Sequence, residues 1–294
     1  MKLCLGTVQF GLDYGIAGAS KPDIESSIKI LNYAYDNGIR NFDTACAYGT
    51  AELVVGEFLK RLGDKSNEVK ITTKSRPNCL DGIEIENYYS VFESNLDESL
   101  KRMNLKQIDC FMIHTADYVF NKHAIESLLK LKKTGKTKKV GISVYTPEQA
   151  LEALKYEELD DIQLPYNIAD NRLDRRGFFE KKQNKQLYCR SAFLQGLLLM
   201  KTDDIPMKFT KLRDLMAEVD KLCERGNFSK LDLCLSYLNR NGYVDYMVFG
   251  VDNQLQLEEI LNANFNLDND VIKEAKQILN DIDEFTLNPS LWNK

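Results

Sequence analysis

The chain has 294 residues, of which 44% are apolar and 28% charged, and this composition excludes a short peptide, a disordered chain and a collagen-like repeat. Its 39 basic and 44 acidic side chains give a formal net charge of −5, so it offers no positive field to nucleic acid or to an anionic membrane. None of the seven cysteines are spaced as C-x-x-C, which indicates free thiols. The apolar run at the N-terminus is too short for a signal sequence. We therefore expect a cytoplasmic protein.

Short β-branched or apolar runs alternate along the chain with longer segments of helical periodicity, which is typical of a parallel α/β protein. The runs predict strands at Lys2–Gly6, Asn41–Thr44, Val69–Lys74, Ile108–His114, Val140–Val144, Ile162–Tyr166, Leu187–Ala192 and Tyr246–Val251. Eight strand–helix units in about 250 residues favour a closed (β/α)8 TIM barrel. An open doubly wound sheet would usually carry a glycine-rich phosphate loop after its first strand, and residues 6–11 lack that spacing.

The helical segments also carry start and stop signals. Pro22-Asp23 opens the first helix and Gly38 closes it, while Thr50 is placed to cap the second. The interval between the seventh and eighth strands predicts a loop insertion at about 194–208, followed by helices at Lys208–Arg225 and Lys230–Asn239. A last helix at Asp268–Asp283 leads into a tail that either covers a pocket or anchors to the surface. We expect one barrel domain over residues 1–294, with a C-terminal helix and tail at about 268–294.

Four polar residues stand at or just beyond the ends of three consecutive predicted strands. Asp43 and Tyr48 follow the second strand, Lys74 ends the third and His114 ends the fourth. The carboxyl ends of the strands form the catalytic end of a barrel, so the four side chains are candidate catalytic groups.

These residues lie in short motifs that resemble the aldo-keto reductase superfamily. The motifs are Leu5-Gly6-Thr7, Asn41-Phe42-Asp43-Thr44-Ala45, Tyr48-Gly49, Ile71-Thr72-Thr73-Lys74 and Asp109–His114, followed by Gly141-Ile142-Ser143, Ile162–Asn167, Gln195–Leu198 and Phe249-Gly250-Val251. The resemblance implies a barrel that binds NAD(P)H and reduces a small-molecule aldehyde or ketone to an alcohol. It also implies roles for the four candidates: Tyr48 donates the proton, Lys74 and Asp43 form the ion pair that tunes it, and His114 orients the carbonyl.

The charges of these groups support that division of labour. A free phenol has a pKa of about 10, which is high for sharing a proton near neutral pH. An ammonium roughly 4 Å away would favour the phenolate by about 4 kcal/mol at an effective dielectric near 20, or about three pKa units. We therefore expect Lys74 to lower the pKa of Tyr48. The four side chains supply no electrons, so a nicotinamide cofactor is required.

The resemblance implies cofactor contacts from Thr7, Asp43, Ser143, Gln163, Arg190, Ser191, Gly250, Val251, Asp252 and Gln256. Three positions depart from the family pattern. Val144 replaces the usual Asn after Ser143. Arg190 stands where an aromatic side chain often stacks on the nicotinamide, and its charge could also serve a phosphate or an acidic substrate. Asp252 lies where NADP-specific members place Lys or Arg, so NAD is possible although family habit favours NADP.

Other chemistries are disfavoured. Gly135-Lys136-Thr137 resembles the end of a phosphate-binding loop, but it lacks the first glycine and precedes a strand. Two histidines and no C-x-x-C leave no ligand set for zinc, so no metal is predicted. The alternative function is a barrel that binds NAD(P)H with little turnover and serves a regulatory or scaffolding role. Candidate pocket walls are Tyr118, Phe120, the 194–208 loop and Trp292, while the substrate and the oligomeric state stay open.

Overall fold

Parallel strands close into a barrel in the computed structural model, which describes residues 1–16, 18 and 20–292. Within the described residues the strands follow one another around the barrel in chain order, and β8 is hydrogen-bonded back to β1. The strands are β1 (Lys2–Gly6), β2 (Asn41–Asp43), β3 (Lys70–Lys74), β4 (Ile108–Ile113), β5 (Thr137–Ser143), β6 (Asp161–Pro165), β7 (Gln186–Arg190) and β8 (Tyr246–Phe249). The predicted (β/α)8 TIM barrel is confirmed.

Helices pack around this barrel in the described part of the chain. They are α1 (Ile24–Asp36), α2 (Ala51–Leu62), α3 (Tyr88–Met103), α4 (Lys122–Leu131), α5 (Pro147–Ala153), α6 (Arg172–Arg175), α7 (Thr210–Gly226), α8 (Lys230–Arg240), α9 (Gln254–Asn262), α10 (Asn269–Ile278) and α11 (Glu284–Leu287). Asp23 caps α1 as predicted, since its carboxylate accepts from the backbone N–H of Ser26 at 2.8 Å. Thr50 stands at the N-cap of α2 as predicted, but its side chain makes no capping hydrogen bond.

Two element boundaries differ from the predictions by more than two residues, each for a local reason. Strand β5 begins three residues early, because Thr137 pairs with Ile108 of β4 and extends the ladder. The last helix was predicted to reach Asp283, but α10 ends at Ile278. Asp283 instead caps α11, because its carboxylate accepts from the backbone N–H of Thr286 at 2.8 Å. An Asp that caps the next helix cannot also continue the preceding one.

The long segment between β7 and β8 contains short 3-10 turns followed by α7 and α8, the two helices predicted there. The C-terminal tail packs onto this segment. The indole ring of Trp292 lies 4.9 Å from the ring of Phe209, centroid to centroid, and its N–H donates to the carbonyl of Phe285 at 2.9 Å. Of the two alternatives for the tail, the structure therefore favours an anchor on the surface of the barrel.

All seven cysteines are free thiols, and burial raises the pKa of each above its ordinary value. Over the described ranges, no group of His, Cys, Asp and Glu side chains is arranged to hold a metal ion. None of the helices in those same ranges is both long and apolar enough to cross a membrane.

A buried carboxyl at the start of β6 makes stability depend on pH. Burial raises the pKa of Asp161 from 3.8 to about 6, against the opposing charge of Lys139 at 3.3 Å. Because the folded state holds this proton more tightly than the unfolded chain, the stabilisation is complete below pH 3.8 and is lost as pH rises through about 6. The shift corresponds to about 3 kcal/mol.

We therefore expect Asp161→Asn to remove this loss. Between about pH 4 and pH 8, the free energy of unfolding of the variant should fall by about 3 kcal/mol less than that of the wild type in urea titrations. Asp203→Asn, which changes a side chain that is 94% exposed, is the matched control and should follow the wild type. Identical pH profiles for wild type and Asp161→Asn would contradict the assignment.

Candidate active site

A cavity of about 460 Å³ lies at the carboxyl ends of the strands. The predicted site residues that line it are Thr7, Asp43, Tyr48, His114, Ser143, Gln163, Arg190, Ser191, Gly250, Asp252 and Gln256. Two predicted residues are absent from the cavity wall. Lys74 is buried next to Asp43, and the side chain of Val251 is buried in the hydrophobic core. Convergent polar groups in a concave site at this end of a barrel mark the candidate active site.

Lys74 and Asp43 form a buried ion pair. The Nζ atom of Lys74 donates to Oδ1 of Asp43 at 2.7 Å and to the carbonyl of Thr44 at 2.9 Å, and the two charged side chains are 1% and 4% exposed. Burial disfavours the charge on Lys74, but the carboxylate of Asp43 and the neighbouring Tyr48 together outweigh burial and raise the pKa of the ammonium. Lys74 is therefore a fixed positive charge at neutral pH.

The phenol of Tyr48 lies beside this ion pair, with Nζ of Lys74 at 5.2 Å from the centroid of its ring. Burial raises the pKa of Tyr48 above its ordinary value, while the charge of Lys74 acts in the opposite direction. The expected influence of Lys74 is present, but burial dominates and the net shift of the phenol pKa is upward. The phenol is protonated at neutral pH and has a proton to give.

Two glycines fix the backbone that carries Tyr48. A Cβ atom at Gly11 would lie only 1.7 Å from the carbonyl oxygen of Tyr48, so the loop after β1 and the loop after β2 can touch only if residue 11 has no side chain. Gly49 has a φ of 52°, and a Cβ there would lie 2.4 Å from the carbonyl of Gly11. The position of the phenol is thus set by main chain from a neighbouring element.

His114 follows β4 and faces Tyr48 edge-on, with ring centroids 5.9 Å apart and planes at 85°. Burial, followed by the charges of Lys74 and Arg190, lowers the pKa of His114 to about 3. The imidazole is therefore neutral at physiological pH, with one ring N–H to donate. Its Nδ1 atom is buried and has no hydrogen-bond partner among the described residues.

A chain of hydrogen bonds joins the predicted nicotinamide contacts to the ion pair. The amide of Gln163 donates to Oδ2 of Asp43 at 2.8 Å, and the hydroxyl of Ser143 lies 3.4 Å from Oε1 of Gln163. The hydroxyl of Thr7 donates to the carbonyl of Asp43 at 3.1 Å. Asp43 therefore organises the polar wall of the cavity as well as the charge of Lys74.

The ends of β7 and β8 bring charges of opposite sign to the cavity wall. Arg190 stacks its guanidinium 4.2 Å from the ring centroid of Tyr145 and donates to the carbonyl of Val144 at 2.9 Å. After β8, the backbone N–H of Asp252 donates to Oε1 of Gln256 at 2.7 Å, so these two predicted contacts also bind each other. The carboxylates of the cavity wall in this region come from Asp252 and Glu259.

Sequence reasoning missed several lining residues, among them Gln9, Tyr14, Tyr145 and Glu259. The Oε1 atom of Gln9 is buried with no partner among the described residues, and burial raises the pKa of Tyr14 to about 12. Proximity in sequence to Thr7 was the one signal that could have indicated Gln9 and Tyr14.

The predicted pocket walls were only partly right. Tyr118 lies outside the cavity lining and donates its hydroxyl to Asp81 at 2.7 Å, and Phe120 is 55% exposed. Trp292 is buried in the tail contact described above. Of the 194–208 loop, Leu199 and Met200 do line the cavity.

Comparisons with known proteins agree with this geometry. The model of the Aldo/keto reductase family matches residues 2–280. The chain is 28% identical over 304 residues to L-glyceraldehyde 3-phosphate reductase of Escherichia coli (strain K12), covering 92% of this chain and 86% of that protein. It is 27% identical to a Schizosaccharomyces pombe protein provisionally named as a voltage-gated potassium channel subunit beta, with 92% and 88% covered.

A solved structure from Pseudomonas aeruginosa, assigned to the aldo-keto reductases, superimposes with a TM-score of 0.65 at 23% identity. The match covers 94% of this chain and 90% of that one, and it concerns the fold alone. The family match spans nearly all of the barrel, including the strand ends that carry the cavity. The chain belongs to the aldo/keto reductase family and is an NAD(P)H-dependent oxidoreductase.

Proposed function

We propose that the chain reduces an aldehyde or ketone to an alcohol, with Tyr48 as the general acid. The observation that carries the proposal is the pairing of a protonated phenol with a neutral imidazole at one cavity wall, next to a buried ammonium. A carbonyl oxygen between Tyr48 and His114 would accept one hydrogen bond from each side chain. Both groups donate in the protonation state that they hold at neutral pH, which is what a carbonyl substrate requires.

The residues present fit a nicotinamide dinucleotide. The wall of the cavity contains a buried orphan acceptor, Oε1 of Gln9, together with the hydroxyls of Thr7 and Ser143 and the amide of Gln163. These groups would hold the nicotinamide end, and Gly250 to Gln256 would hold the phosphates. When bound in reduced form, the cofactor supplies the hydride that none of these side chains can provide.

The ion pair of Lys74 and Asp43 acts when Tyr48 gives up its proton. Burial makes a phenolate costly in this cavity, and the fixed ammonium of Lys74 offsets that cost. The carboxylate of Asp43 keeps Lys74 charged through a 2.7 Å contact, so this stabilisation is in place before the reaction begins. His114 fixes the direction of the carbonyl oxygen without exchanging a proton.

The choice between the two dinucleotides depends on the region after β8. Family habit favours NADP, whereas Asp252 and Glu259 would repel the additional phosphate of NADPH. The ratio of the dissociation constants of NADPH and NADH therefore measures how strongly these carboxylates disfavour the additional phosphate.

Fluorescence titration with NADH and NADPH, each done separately, tests the proposal. We expect at least one reduced dinucleotide to bind in the micromolar range, and a panel of aldehydes and ketones to be reduced with the preferred one. The proposal fails if neither dinucleotide binds at millimolar concentration.

A regulatory or scaffolding barrel is the second candidate, and the name of the Schizosaccharomyces pombe relative favours it. A regulatory or scaffolding barrel should bind the dinucleotide tightly and turn over no carbonyl compound. Turnover is supported by the candidate catalytic groups: Tyr48, Asp43 and His114 line one cavity, and Lys74 is buried next to Asp43.

A further inference from the structure

Arg190 is a positive charge at the cavity wall whose hydrogen bonds within the chain go to neutral acceptors. Its side chain donates to the carbonyl of Val144 at 2.9 Å and lies 3.3 Å from the hydroxyl of Ser191. Among the described residues, no Asp or Glu lies within ion-pair distance of it. A partly buried cation without a counter-ion is less favourable than a paired one, so this arrangement suits the binding of an anionic group.

The guanidinium is held in one orientation. Its Cζ atom lies over the ring of Tyr145, 4.2 Å from the ring centroid, and its hydrogen bond to the carbonyl of Val144 fixes one edge. A guanidinium has five N–H donors, and the two contacts to Val144 and Ser191 leave others for a ligand. A fixed planar fork of this kind suits the two oxygens of a carboxylate or phosphate.

The position of Arg190 relates it to the reacting carbonyl. It lines the same cavity as Tyr48 and His114, and its charge contributes to lowering the pKa of His114. Asp252 and Glu259 line that cavity as well, so an anion entering it meets attraction at Arg190 and repulsion at these carboxylates.

We propose that Arg190 binds a carboxylate or phosphate carried by the carbonyl substrate and is therefore a specificity-determining residue. The inference rests on the proposed function and narrows its substrate class to anionic aldehydes or ketones. The same guanidinium would otherwise serve a phosphate of the dinucleotide, and the experiment separates these two sources.

The test compares matched substrates on matched variants. The substrate pairs are 4-carboxybenzaldehyde with benzaldehyde, and glyceraldehyde 3-phosphate with glyceraldehyde. The variants are Arg190→Met, which keeps an unbranched chain without charge, and Arg190→Lys, which keeps the charge without the fork. Lys201→Met is the control, because Lys201 is an exposed cation on the 194–208 loop that does not line the cavity.

We expect the wild type to prefer the charged member of at least one pair by tenfold or more in kcat/KM. Arg190→Met should lose about ten- to a hundredfold in kcat/KM for that charged substrate, the range of a hydrogen-bonded charged group, and little for the neutral one. Arg190→Lys should recover part of the loss, and Lys201→Met should match the wild type.

Three results would overturn the inference. The first is that the wild type uses charged and neutral substrates equally well. The second is that Arg190→Met loses the same factor in kcat/KM on both members of a pair. The third is that Arg190→Met binds NADH or NADPH tenfold more weakly, which would assign the guanidinium to the cofactor. If Arg190→Met fails to fold, the wild-type preference and Arg190→Lys decide. Failure of the proposed function looks different, because then no member of either pair is reduced.

Discussion

Replacing Tyr48 by Phe should lower kcat for carbonyl reduction by about 10²- to 10⁴-fold, the usual contribution of a general acid. The change removes one oxygen atom and leaves the ring that packs edge-on against His114 at 5.9 Å. It also leaves the ion pair of Lys74 and Asp43 intact. Steady-state assays measure kcat of the wild type, and stopped-flow single-turnover assays with an excess of enzyme over substrate measure the rate of the slow variant.

The controls for Tyr48→Phe separate chemistry from binding. The dissociation constant of the reduced dinucleotide should stay within about twofold, because the residues expected to hold the dinucleotide do not include Tyr48. Tyr33→Phe, on the half-buried side of α1, makes the same chemical change outside the cavity and should keep wild-type kcat. Unchanged turnover in Tyr48→Phe would contradict its role as the general acid.

Replacing Lys74 by Met should cost about 3–5 kcal/mol in the free energy of unfolding, because it leaves the carboxylate of Asp43 buried without its counter-ion. The Asp43 side chain is 4% exposed and loses its 2.7 Å contact, although Gln163 still donates to it at 2.8 Å. Urea unfolding monitored by circular dichroism measures the difference.

A double variant makes the Lys74 result interpretable. Lys74→Met combined with Asp43→Asn removes both charges, and it should recover most of the stability lost in the single variant while kcat stays low. The reason is that the buried charge is gone but nothing then offsets a phenolate at Tyr48. A single variant less than about 1 kcal/mol below the wild type would show that the pair contributes little.

The sequence predicted the barrel and the four polar residues at three of its strand ends because both depend on local patterns. Alternating β-branched runs identify strands, and a polar side chain directly after such a run, as with Asp43, falls at the catalytic end of the barrel. Gln9, Tyr14 and Glu259 were missed because their place in the cavity wall depends on loop paths that no local pattern determines.

The pKa of Tyr48 shows a second limit of sequence reasoning. Proximity to Lys74 was predictable from two strand ends, and its influence has the expected direction. The depth at which the phenol is buried depends on how the loops after β1 and β2 touch at Gly11, and that depth decides the net shift. Burial is a property of the assembled molecule, so it could not be predicted from residue spacing.

The burial of the seven cysteines determines how readily their thiols react with electrophiles. Aldehydes are electrophiles, and the thiolate is the form of cysteine that attacks them. Because burial holds each of these cysteines in the thiol form, including the half-buried Cys46 and Cys79, none of the seven offers a ready thiolate to an aldehyde. The fold thereby lowers the reactivity of its cysteines toward carbonyl compounds and other electrophiles.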